Sequence, residues 1–145
     1  MKEILCFGDS NTYGLIPGTK ERYGRDTRWT GLLEQHLYEK GYRIIEEGLC
    51  GRTTVFEDEL REGRKGAALL PTLLESHAPI DRVVLMLGTN DCKSLYNASA
   101  EVIGLGIEQL LKQIRKIDSD TRILLISPIP VSYTHLRAHE TRSNL

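Results

Sequence analysis

The sequence has no run of apolar residues near the ~18 that a membrane span needs. Its start, Met-Lys-Glu, leads into an apolar run too short for the core of a secretory signal. No block of basic residues occurs, and the formal net charge is −1 over 145 residues. Nothing therefore favours nucleic acid or an anionic membrane as partner. Cysteine is scarce and odd in number: Cys6, Cys50 and Cys92, without CxxC spacing. That argues against a paired disulfide framework and against a zinc site. A reducing, cytoplasmic compartment is expected, with all three cysteines as small buried apolar residues. Internal repeats and low-complexity linkers are missing too. What is present is ordinary, 40% hydrophobic and 27% charged residues, on a chain long enough for one domain with a sizeable core.

Strand-like and helix-like segments alternate. Glu3–Phe7 is the first strand, and a Gly-, Thr-, Asn- and Pro-rich loop follows from Gly8 to Tyr23. Asp26 or Thr27 is expected to cap a helix carrying Trp29, Leu32, Leu33 and Leu37, stopped by Gly41. Tyr42–Glu46 reads as a second strand. Pro71 suits the first turn of a second helix, which Pro79 blocks from continuing. "VVLML", Val83–Leu87, is apolar at every position, as a strand covered on both faces is. Ser99 opens a longer helix with Ile103, Ile107, Leu110, Leu111, Ile114 and Ile117 at helical spacing. Arg122–Ser127 is another apolar strand. The order β-α-β-α-β-α-β predicts a doubly wound parallel sheet with right-handed crossovers.

Such sheets bind ligands at the carboxyl ends of their strands. Three of those ends carry polar groups that could converge. Ser10 in "FGDSNTYG" offers a hydroxyl, Gly51 in "EEGLCGRTT" a backbone N–H, and Asn90 in "MLGTND" a side-chain amide. A nucleophile flanked by donors is what the oxyanion of acyl transfer requires. Each signal alone has an ordinary reading: a helix cap for Ser10, and an Asn-Asp turn bonded to its own backbone for Asn90. Order and shared location at strand ends give them weight. "GLIPGTK", Gly14–Lys20, falls short of a phosphate-binding loop, with three residues between its glycines and Thr19 before the lysine.

In order, these three motifs resemble blocks I, II and III of the SGNH (GDSL) hydrolases. "DTRWTGLLEQHL" and "LPTLLESHAPID" extend the likeness, which covers residues 1 to about 131. It is similar above all to the bacterial arylesterase and acyltransferase branch. The resemblance implies a flavodoxin-like α/β/α sandwich with a parallel sheet. It makes Ser10 the nucleophile, with Gly51, Asn90 and the Ser10 amide as the oxyanion hole, and has Asp9 ordering the nucleophile turn. It implies hydrolysis or transfer of small-acyl esters of small molecules, with no metal or organic cofactor, and a homo-oligomeric parent.

The family's base is a histidine in an Asp-x-x-His motif near the C-terminus. No such motif occurs here, and no aspartate lies beyond Asp120. His36 reads as helix surface and His77 as a helix-end residue. The catalytic His and Asp are therefore absent, and truncation before the last strand and helix is the expected cause. Residues 132–145, "SYTHLRAHETRSNL" with His135 and His139, resemble a recurring artefactual tail. The reading expected is a partial SGNH domain, 1–131, with little or no turnover, and an exposed, association-prone edge at "RILLIS". His135 or His139 folding over Ser10 is a second enzymatic reading. A non-catalytic module binding an acyl or carbohydrate ligand is the alternative from another class. The Gly14–Arg25 loop and Trp29 border either the pocket or a subunit contact, or are solvated loop and core.

Overall fold

A computed structural model describes residues 1–128 of the chain. The expected boundary near residue 131, the tail 132–145 and its His135 and His139 lie outside the described residues. Four strands, β1 (Lys2–Gly8), β2 (Tyr42–Gly48), β3 (Arg82–Met86) and β4 (Arg122–Leu125), form one sheet in the order β2-β1-β3-β4. Every pair is parallel. Helices α1 (Ser10–Tyr13), α2 (Trp29–Leu37), α3 (Gly66–Ser76) and α4 (Ala100–Ile117) connect them.

The apolar strands divide their side chains between two cores. Leu5, Phe7, Val83 and Leu85 meet Leu70, Leu74, Leu110 and Ile114 of α3 and α4 on one face. Ile4, Cys6, Ile44 and Val84 meet Trp29, Leu33 and Leu37 of α2 on the other. Each such Leu or Phe contributes roughly 1.5–3 kcal/mol when fully buried. The result is a three-layer, flavodoxin-like α/β/α sandwich. Among the described residues no helix is long and apolar enough to cross a membrane.

Several local expectations are corrected. α2 starts at Trp29 with neither Asp26 nor Thr27 as its cap; Arg28 holds that position without a side-chain cap bond. Leu32 leaves the apolar stripe and is exposed. α3 begins at Gly66, so Pro71 lies inside it rather than in its first turn. A proline there frees the carbonyl four residues back. That carbonyl, Ala67 O, accepts from Gln113 Nε2 of α4 at 2.8 Å, so the defect becomes a helix–helix contact. The Gly8–Tyr23 segment is not all loop: α1 opens it, and Leu15 bridges Arg22 in an antiparallel turn. No helix starts at Lys20. Cys92 is exposed rather than buried, Cys50 is half-buried, and all three thiols are free. β4 is an outer strand shorter than the expected Arg122–Ser127, and, as an exposed edge at "RILLIS" predicts, Leu124 is 58% and Leu125 47% exposed. Ser99 does cap α4, accepting from Val102 N at 3.2 Å.

Candidate active site

Gly8 ends β1 opposite Gly48 of β2 and Met86 of β3. The chain therefore leaves three neighbouring strands at one level, carrying Ser10, Gly51 and Asn90 just beyond them. At Gly48 a Cβ would lie 2.1 Å from Tyr13 N and 2.5 Å from Thr12 C. Only glycine lets α1 rest directly on the end of β2. Asp9 caps α1, its Oδ1 accepting from Asn11 N at 3.0 Å. Ser10 is the first helical residue, half-buried. Its hydroxyl makes no hydrogen bond to a described residue.

Gly51 has φ +84°, and a Cβ there would meet Arg61 Nη1 at 2.5 Å. Its N–H finds no acceptor among the described residues. Asn90 is buried in a short 3₁₀ turn, Asn90–Cys92. Its Nδ2 donates to Arg52 O at 3.1 Å. An amide nitrogen carries two N–H groups, so that one bond fixes the side chain and leaves a second donor.

Arg52 joins these strand ends and was missed in the sequence. It is 2% exposed. Its Nη1 donates to Gly8 O at 3.2 Å and Glu47 O at 2.6 Å, and its guanidinium lies 4.2 Å from the centre of the Phe7 ring. Burial lowers its pKa to about 10. Asp91 was missed as well. It does not close a local Asn-Asp turn; its carboxylate accepts from Thr54 N at 3.1 and 3.2 Å and from Thr54 Oγ1. Phe56 stacks on Tyr96 with ring centres 5.1 Å apart, a second tie between the same two loops. The clue to both residues was a polar triplet, Arg52-Thr53-Thr54, a few residues past the end of β2; all three are buried.

Burial raises the Asp9 carboxyl to about 6, with Asp91 adding to the rise and its own backbone contacts and Arg52 opposing it. Burial raises Asp91 too, against the Thr54 bonds. Behind the site, Glu46 of β2 accepts from Arg28 Nε at 2.6 Å and Nη2 at 3.0 Å, and from Thr30 and Arg25. The Arg28 bond above all holds it down to about 2. Trp29 Nε1 donates to Asn11 O at 3.1 Å. Trp29 is thus both core and a brace for the Ser10 turn.

His36 is exposed on α2. His77 follows α3, with Nε2 3.7 Å from Glu47 Oε1. Neither has a hydrogen bond to Ser10. Among the described residues no group of three His, Cys, Asp or Glu is placed to hold a metal.

A serine, an unpaired glycine N–H and an anchored asparagine amide at adjoining strand ends are suited to acyl transfer. The family model described as "GDSL-like Lipase/Acylhydrolase family" matches residues 6–144. The chain belongs to this family. Members of the GDSL-like family are ester hydrolases, and this chain is a carboxylic ester hydrolase by family. No curated protein matches it. Among solved structures it is similar to an aryl esterase of M. smegmatis with bound inhibitor, at 33% identity and TM-score 0.83, covering 99% of this chain and 79% of that one. It is also similar to a carbohydrate acetylesterase family member from Sinorhizobium meliloti, at 34% identity and TM-score 0.86, covering 100% and 74%.

Proposed function

We propose that this site transfers small acyl groups from ester substrates through an acyl-Ser10 intermediate. Ser10 Oγ attacks the carbonyl carbon, and the carbonyl oxygen becomes the oxyanion. The N–H groups of Gly51 and Ser10 and the free N–H of Asn90 Nδ2 receive that charge. Collapse breaks the ester C–O bond, the proton lost by Ser10 Oγ passes through solvent to the departing alkoxide, and water or another acceptor then takes the acyl group and returns a proton to Ser10 Oγ. The observation that carries this reading is the Gly51 N–H, held at φ +84° without an acceptor among the described residues, just past the strand paired with the one that leads to Ser10. The solved relatives named for aryl esters and carbohydrate acetates support esters of small acyl groups as substrates.

The 145 residues contain no Asp-x-x-His, so Ser10 lacks its family base. On this reading the 145-residue chain turns over slowly, by several orders of magnitude, while donors at the oxyanion leave residual catalysis. The test is labelling of Ser10 by a neutral fluorophosphonate, beside hydrolysis of p-nitrophenyl acetate, in the chain and in Ser10→Ala. Expected are slow labelling confined to Ser10 and turnover close to background. Rapid turnover that vanishes in Ser10→Ala would mean that a base is present after all. No labelling, with an acylated sugar raising the melting temperature equally in both proteins, would favour a binding module.

A further inference from the structure

Two guanidinium groups converge on one carbonyl oxygen beside Gly51. Arg61 Nη2 donates to Cys50 O at 3.3 Å, and Arg64 Nε donates to the same oxygen at 3.2 Å. Arg64 Nη1 also donates to Glu62 O at 2.7 Å. Arg61 Nη1 fills the space a Gly51 Cβ would take. These acceptors are neutral. Arg25 and Arg28 meet Glu46, and Arg82 meets Asp81. Arg61 and Arg64 make no ion pair among the described residues. Asp58, buried nearby, turns its Oδ1 to Leu60 N at 2.9 Å. Burial, and then the charge of Arg61, hold Arg64 below the usual arginine range, with Cys50 and the Asp58 carboxylate opposing part of that shift. Two like charges on neutral acceptors repel, and an anion bridging them relieves that repulsion.

We propose that Arg61 and Arg64 form an anion-recognition subsite beside Gly51, which selects esters carrying a carboxylate a few bonds from the scissile carbonyl. The assignment of this anion to a substrate rests on the acyl-transfer reading above. Guanidinium groups suit a carboxylate because their N–H donors match its two oxygens. The carboxylate belongs either to the acyl half or to the alcohol half of the ester, and the two cases are separable.

The experiment is calorimetric titration of the intact chain at low and high salt with three small esters. Monomethyl succinate carries the charge on its acyl half, acetoxyacetate carries it on its alcohol half, and methyl pentanoate is neutral. One charged ester is expected to bind roughly tenfold more tightly than the neutral one at low salt. High salt, Arg61→Gln and Arg64→Gln each remove most of that preference. Lys112→Gln, at an exposed helical pair with Glu108, keeps it, and thermal melts verify that each variant is folded. Equal or undetectable binding of the charged esters overturns the subsite, as does a preference that survives in the double variant. Fluorophosphonate labelling of Ser10 is read separately. Labelling without a charge preference overturns the subsite alone. A charge preference without labelling overturns acyl transfer and leaves the anion site standing.

Discussion

Replacing Arg52 by methionine keeps most of the apolar stem over Phe7 and removes the guanidinium. Two charge-assisted bonds are lost, to Gly8 O and Glu47 O. Each is worth roughly 1.5–3 kcal/mol. The contact with the Phe7 ring adds about 1 kcal/mol. Against this stands the cost of burying the charge. A guanidinium held at about 10 instead of 12.5 represents about 3 kcal/mol. Gly8 O also keeps a second donor, Leu49 N at 3.2 Å, so its loss falls at the low end. The difference predicts a destabilisation of about 2 kcal/mol. For a domain of this size that lowers the melting temperature by roughly 6–10 °C. Circular dichroism melts of Arg52→Met beside the parent chain measure it. Because Arg52 O also holds the Asn90 amide, Ser10 labelling should slow in the folded variant. A melt within about 1 °C of the parent would refute the claim that this buried cation ties the strand ends together.

Two pH windows should separate in stability curves. Asp9 is raised from 3.8 to about 6, so the fold holds a proton the unfolded chain has already released. Its stability contribution is therefore lost as pH rises from about 4 to about 6, by up to ~3 kcal/mol, and Asp9→Asn should remove that slope. Glu46 is lowered from 4.5 to about 2. Its contribution is present above 4.5 and lost as pH falls toward about 2, with a size trimmed by solvent at the half-exposed Arg25; Glu46→Gln should abolish that acid limb. Urea titrations at stepped pH read both. Two glycines should respond oppositely to alanine. Gly48→Ala drives a Cβ into the α1 backbone and should cost about 3 kcal/mol or more. Gly104→Ala, in α4 with nothing within 4 Å, should gain about 0.5–1 kcal/mol. Thermal melts compare the pair.

Much of the scaffold is legible because the physics behind it is local. Val83–Leu87 is apolar throughout since β3 has helices on both faces, and Ser99 announces α4 with its own cap bond. The start of α3 is not legible, because the carbonyl that Pro71 frees is taken by Gln113, 46 residues away from Ala67. α2 likewise begins where Arg28 is pulled to Glu46, with no cap residue to mark it. Ser10, Gly51 and Asn90 could be picked out because each directly follows a strand. Arg52 and Asp91 follow the same strand ends, but their roles could not be read there. Their partners are Phe7, Gly8 and Thr54, and only the folded sheet brings those residues near.

The order of the strands also sets how the site breathes. β1 is paired on both sides, whereas among the described residues β2 pairs with β1 alone. In native-state hydrogen exchange the amides of β1 should open only with the whole domain, while those of β2 open in smaller, cheaper fluctuations. Ser10 hangs from the slow strand and Gly51 from the fast one. On the acyl-transfer reading proposed above, fluctuations of the sheet edge would reach the Gly51 N–H before the Ser10 hydroxyl, restrained by the bonds of Leu49 and Arg52 to Gly8 O.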